Sequence, residues 1–222
     1  MNEKEKILSR IREALTHGGA NTATVTPALP QAGEIRQWLP AVGGTFDQRL
    51  AMFQANALEL KADFYLLNSL EELKARARGL SRVEKWSRVA SHDGELTSIA
   101  CEAIGLPVWR TDEPYDVHGL EACDAGITEC DALIAQTGSV LVTSRSAGGR
   151  ALSVLPPHHV VLARRAQMLP DLPAAFELLK KKYAPDYPSF ISFITGPSRT
   201  GDIERILVLG AHGPKRLTIL CV

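Results

Sequence analysis

A chain of 222 residues with 45% hydrophobic and 23% charged side chains has the composition of an ordinary soluble globular protein, with length for one sizeable domain and a small appendage. Lys plus Arg and Asp plus Glu both number 25; that balance excludes a broad nucleic-acid surface, which needs excess positive charge, and removes one barrier to a homo-oligomer or complex. No apolar run reaches the length of a membrane span, and the start Met1-Asn2-Glu3-Lys4-Glu5-Lys6 is too charged for a signal peptide, so a cytoplasmic location is expected.

In chain order, Ile7, Leu8, Ile11 and Leu15 recur at helical spacing, and His17-Gly18-Gly19 supplies a stop. Residues 20–44, rich in Thr, Ala, Pro and Gly, read as a linker. Thr45 with Gln48 three residues on forms a capping box, and Phe46, Leu50, Phe53, Ala57 and Leu60 follow at helical spacing. Residues 1–60 are therefore expected as a helical arm and linker, and residues 61–222 as an α/β domain. In that domain Phe64-Tyr65-Leu66-Leu67 reads as a strand, and Ser69 with Glu72 caps a helix running through Arg78. Strand candidates at Arg88-Val89-Ala90 and Pro107-Val108-Trp109 bracket a helix from Glu95 to Ile104, stopped by Gly105. Alternating short strands and capped helices predict a layered α/β fold with a mostly parallel sheet flanked by helices.

The middle adds a β-hairpin insertion: Ala132–Gln136, a Thr137-Gly138 turn, then Ser139–Thr143. β-prone sequence follows Ser146-Ala147-Gly148-Gly149 and ends in Val160-Val161-Leu162. Asp171 to Lys182 is a helix with Pro173 in its first turn and lysines in its last. Phe190–Thr195, Ile206–Leu209 and Leu217–Val222 are the last strand candidates.

Chemistry is concentrated where the strand Phe190–Thr195 stops at Gly196-Pro197-Ser198-Arg199-Thr200-Gly201. Backbone N–H groups, two hydroxyls and a guanidinium on consecutive residues suit a carboxylate or phosphate. The same residues also make a strand-to-helix turn with a good cap, and both readings stand. Glycines 196 and 201 have P-loop spacing, but Asp202 and Ile203 replace the Lys and Ser/Thr that nucleotide binding needs. Thr137-Gly138-Ser139 is either a plain hairpin turn or a backbone approach to a ligand. His212, followed by Gly213, reads as an acid, a base, a hydrogen-bond donor or a plain turn residue. The candidate ligand-binding residues are Thr137, Gly138, Ser139, Gly196, Ser198, Arg199, Thr200, His212 and Gly213. No catalytic residue is assigned.

Glu129 and Asp131 flank Cys130, a pair that fits acid–base work or simple solvation. His158 and His159 are adjacent on an extended segment, so they point to opposite faces and do not share an ion. Cys101, Cys123, Cys130 and Cys221 form no Cys-x-x-Cys pair, so reduced thiols and no metal site are expected.

Three stretches together resemble one family: Gly126-Ile127-Thr128-Glu129-Cys130-Asp131-Ala132-Leu133-Ile134-Ala135-Gln136-Thr137-Gly138-Ser139, then Leu155-Pro156-Pro157-His158-His159, then Thr195–Glu204 running on to Leu209-Gly210-Ala211-His212-Gly213-Pro214. They resemble the lactate utilization protein C family, the LUD domain, over roughly residues 60 to 222. The resemblance implies a fold similar to CoA transferases and sugar-phosphate isomerases. It also implies a part in oxidation of L-lactate to pyruvate beside partner proteins, one carrying iron–sulfur clusters, with no cofactor in this chain. A non-redox subunit binding a small anionic metabolite or organising its partners fits that picture. A stand-alone enzyme on a phosphorylated or CoA-linked metabolite, or a scaffold or regulatory module, remains the alternative. Many relatives carry an acidic residue just before the Thr-Gly turn; here it is Gln136, and an amide cannot form an acyl-anhydride intermediate.

Overall fold

The computed structural model describes residues 3–17, 39–200, 208–209 and 213–222. It divides into two units, 1–39 and 40–222. The first contains α1 (Glu3–His17), the helix expected from its apolar spacing.

The second unit opens with α2 (Phe46–Glu59), where Thr45 and Gln48 make the anticipated capping box. Phe53 and Ala57 of α2 are fully buried in the α/β core, so the compact unit begins ahead of the expected boundary at residue 60. There follow β1 (Asp63–Leu66), α3 (Leu70–Val83), β2 (Val89–Ser91), α4 (Glu95–Ile104), β3 (Val108–Arg110), α5 (Val117–Glu121) and β4 (Ala125–Glu129). Next come β5 (Ala132–Ile134), β6 (Ser139–Thr143), β7 (His158–Ala163), a 3₁₀ turn (Arg165–Gln167) and β8 (Met168–Leu169). The chain continues through α6 (Leu172–Tyr183), β9 (Ile191–Ile194), β10 (Arg199–Thr200), β11 (Val208–Leu209) and β12 (Arg216–Cys221).

Six strands form a fully parallel sheet in the order β1-β12-β7-β4-β2-β3. Its central strand β7, His-His-Val-Val-Leu-Ala, is buried at every position, as expected of a parallel strand covered on both faces. One face presents Val160, Leu162 and Leu220 to Leu73 and Ala77 of α3 and to Leu96 and Ala100 of α4. The other presents Val161, Ala163, Leu217 and Ile219 to α2 and to Leu133, Val140 and Val142 of the hairpin. The hairpin is the middle of a second sheet, β8-β5-β6-β9. Its outer residues Ala132, Ile134 and Leu141 pack on Ala175, Leu179 and Tyr183 of α6. Period-two alternation within β5 and β6 thus joins the two sheets and covers the smaller one.

Local signals account for most boundaries. Ser69 caps α3 and Asp171 caps α6 by accepting the backbone N–H three residues on, and α3 runs past Arg78 to Val83. Gly105 ends α4 with φ +70°. β4, α5, β8, β10 and the 3₁₀ turn lie outside the elements expected from the sequence. β4 carries Gly126 at its second position, a residue that ordinarily weakens a strand. A Cβ there would come within 2.2 Å of the Leu152 carbonyl oxygen, so close approach of another backbone demands it. After β9 the described chain forms the short β10–β11 ladder where a helix was one of the two expectations.

Candidate functional site

The two sheets leave a cavity of about 250 Å³ beside β9, the edge strand of the smaller sheet. Ser192, Thr195 and Ser198 from β9 and its following loop contribute hydroxyls, as does Ser153. Leu217 and Phe193 supply apolar wall, and the backbone of Gly213-Pro214 closes one side. The loops at 198 and 214 are tied together by the Ser198 N–H donating to the Pro214 carbonyl at 2.9 Å. Thr195 is held to the hairpin by a 2.8 Å hydroxyl–hydroxyl bond to Ser139.

His159 also lines this cavity. Strand alternation on β7 sends His158 to the α3–α4 side, where its ring meets Trp86 edge-on, and His159 to the side of the smaller sheet. Their opposite orientation was expected; a site for His159 was not. Its Nε2 lies 2.9 Å from the Thr128 hydroxyl, and its Nδ1 is buried with no hydrogen-bond partner among the described residues. Burial, with a smaller contribution from His158, pushes its pKa down to about 3. His158, bonded through Nε2 to the Thr218 hydroxyl at 2.8 Å, is pushed down to about 4 by burial and then by Arg216. Both imidazoles are neutral at neutral pH. Among the described residues the cavity lining holds no Lys, Arg, Asp or Glu, and those present offer a ligand hydroxyl, amide and imidazole hydrogen bonds and apolar contact.

Of the residues singled out in the sequence, Gly196, Ser198 and Gly213 line the cavity, and Ser139 reaches it through Thr195. Gly138 meets α2 instead: a Cβ on it would come within 2.8 Å of Asn56 Cβ. Thr137 is not in the cavity lining, and its hydroxyl is buried with no hydrogen-bond partner among the described residues. The Asn56 amide donates to the carbonyls of Ala135 and Gln136 at 2.8 and 3.0 Å. Arg199 turns away from the cavity, its guanidinium donating to the carbonyl of Leu60, the C-cap of α2. Unsatisfied carbonyls at a helix C-terminus attract a cation for the same electrostatic reason a ligand carboxylate does. The arginine loop and the glycine turn thus both meet the end of α2. Thr200 lies on β10, while His212 lies outside the described residues.

The remaining candidates for chemistry are engaged elsewhere. Glu129 accepts from the N–H of Leu96 at 2.8 Å and of Thr97 at 3.4 Å, capping α4, whose own N-cap residue is Gly94. Asp131, buried, takes Lys182 and Tyr183 at 2.6 Å each on one oxygen and the Thr143 hydroxyl at 2.8 Å on the other. Burial alone would raise its pKa, but these donors outweigh burial and hold the carboxyl below the usual range. The Glu129–Asp131 pair therefore performs two separate structural tasks. Gln136 donates to the Pro40 carbonyl at 2.9 Å. All four cysteines are free and buried. Burial raises the Cys101, Cys123 and Cys130 thiols and pushes Cys221 up to about 11, the opposite of what a nucleophile needs. Among the described residues no three His, Cys, Asp or Glu side chains are grouped to hold a metal ion, and no helix is long and apolar enough to cross a membrane.

Comparison with known proteins agrees with this architecture. Residues 116–222 match the LUD domain. The whole chain aligns with lactate utilization protein C of Bacillus subtilis at 24% identity, covering 97% of that protein. Lactate utilization protein C of Halalkalibacterium halodurans is 34% identical over 70% of this chain and 66% of its own length. Among solved structures, a DUF162 family protein from Deinococcus radiodurans superposes with a TM-score of 0.61 at 23% identity, covering 80% of this chain and 98% of that one, a likeness of fold.

Proposed function

Because the chain belongs to the LUD-domain family, we propose that it takes part in lactate utilization by holding a small hydroxy- or ketocarboxylate, lactate or pyruvate, in the His159 cavity. The observation that carries this reading is a buried, neutral imidazole with one nitrogen unpartnered among the described residues, beside a small cavity lined by hydroxyls and apolar groups. In this reading the Thr128 hydroxyl donates to His159 Nε2 and fixes the proton on Nδ1. Nδ1 then donates to the ligand's 2-oxygen. The hydroxyls of the 192–198 segment and the backbone N–H groups beside Gly196 take the carboxylate, and the methyl group rests on Leu217 and Phe193. The imidazole stays neutral, so its task is recognition and not proton abstraction.

Oxidation of a hydroxycarboxylate releases two electrons. In this proposal the carriers for them, iron–sulfur clusters included, belong to partner proteins, and this chain is a non-redox subunit. Isothermal titration of the purified chain with lactate, with pyruvate and with CoA tests the binding. A saturable heat for lactate or pyruvate that disappears in His159→Leu supports the reading. No saturable heat for either acid, or binding untouched by that substitution, sinks it.

A further inference from the structure

On the opposite face of the six-stranded sheet from this cavity, α3 and α4 enclose a groove of about 670 Å³. Lys74, Arg78 and Arg82 line it at intervals of four residues along α3, and Lys85 follows just past the helix end. Among the described residues Glu102 is the one acidic side chain in the lining. Ile99, Ile104 and Leu106 form a half-buried apolar floor.

Two features of these cations bear on what the groove can hold. First, three of the four make no ion pair among the described residues, although acids lie in the same region. Lys74 pairs with Glu71 at 2.8 Å, but Arg78, Arg82 and Lys85 make no ion pair among the described residues, while neighbouring Glu84 is engaged by Arg216. Like charges four residues apart repel along a helix, and the net charge of the whole chain is zero. Second, Lys85 has φ +56°, a left-handed helix-end position that favours glycine. Lys85 extends the cationic row from that position.

We propose that this groove docks an acidic amphipathic helix of a partner protein. The cations at 74, 78 and 82, one helical turn apart and spanning about 12 Å, match carboxylates at four-residue intervals on a facing helix, with Lys85 beyond the helix end. The apolar floor receives that helix's hydrophobic stripe, as in helix-in-groove recognition. Electrostatic complementarity sets the register and speeds the encounter, and burial on the floor supplies the hold.

The test uses a fluorescein-labelled helical peptide of about 16 residues, with Glu at every fourth position beside a Leu stripe, and a scrambled peptide of identical composition. Fluorescence anisotropy is followed on the full chain at about 0.05 M and about 0.5 M salt. The expected result is saturable binding of the patterned peptide only, weakened at least about tenfold by the higher salt and by R78E/R82E. The milder R78Q/R82Q should lie between, and circular dichroism confirms that each variant is folded. Equal binding of both peptides, no binding of either, or full binding to R78E/R82E overturns the proposal. So does tighter capture of ATP than of the peptide, which would assign the groove to a small polyanion. Neither variant touches the His159 cavity, so retained lactate or pyruvate binding in them keeps the two proposals separately testable.

Discussion

Two neutral histidines side by side on a central strand make folding stability depend on pH in a window where carboxylates hardly contribute. In the unfolded chain each imidazole titrates near its ordinary value of 6.5, whereas folding pushes His158 down to about 4 and His159 down to about 3. The folded state therefore binds fewer protons, and stability falls as pH drops below about 6.5. From pH 7 to pH 5 each group costs about 2 kcal/mol, because both folded values lie below the lower pH and the unfolded chain gains nearly a full proton at each. The pair thus removes about 4 kcal/mol, a large share of the roughly 5–15 kcal/mol typical of a domain. Urea denaturation at the two pH values measures it directly, and His158→Gln and His159→Gln should each abolish about half of the pH dependence. A wild-type midpoint that does not move between pH 7 and pH 5, or variants with an undiminished slope, would refute the reasoning that both rings are buried uncharged.

Three further outcomes follow from named contacts. Gly138→Ala should destabilise the chain by about 2 kcal/mol in urea denaturation, because it puts an L side chain at φ +64° and a Cβ within 2.8 Å of Asn56. Asp131→Ala unpairs Lys182 and takes their carboxylate acceptor from the buried Tyr183 and Thr143 hydroxyls, which keep only each other and Ser146, and should cost about 2 kcal/mol by the same assay, less than a fully buried pair because Lys182 is half exposed. Arg199→Ala should leave lactate or pyruvate affinity within about twofold by titration calorimetry, since its guanidinium serves the end of α2 and a twofold change is about 0.4 kcal/mol.

Much of the fold was legible because its signals are local. Thr45, Ser69 and Asp171 cap helices through neighbouring backbone groups, Gly105 ends one by its own φ, and alternation in Leu133, Val140 and Val142 marks an inward face. β4 was not legible, because Gly126 answers to the Leu152 carbonyl, a contact between segments that nothing in the strand's own sequence announces. The candidate site divides in the same way. Gly196, Ser198 and Gly213 stood out as turn residues and do line the cavity. His159 was recognisable as facing opposite to His158, but which layer would cover that face depends on the hairpin sheet folding back over β7. Arg199 was conspicuous as a cation in a donor-rich loop. That its partner is the carbonyl of Leu60, 139 residues earlier, is decided by where α2 ends in space.

The measurement closest to the central claim is the imidazole ¹⁵N spectrum of His159, assigned by comparison with His159→Gln. The account predicts a neutral ring from pH 7 to pH 5 and a progressive, saturable shift of its Nδ1 resonance as lactate or pyruvate is added. A ring that protonates near pH 6.5, or a spectrum indifferent to both acids while resonances elsewhere respond, would contradict it.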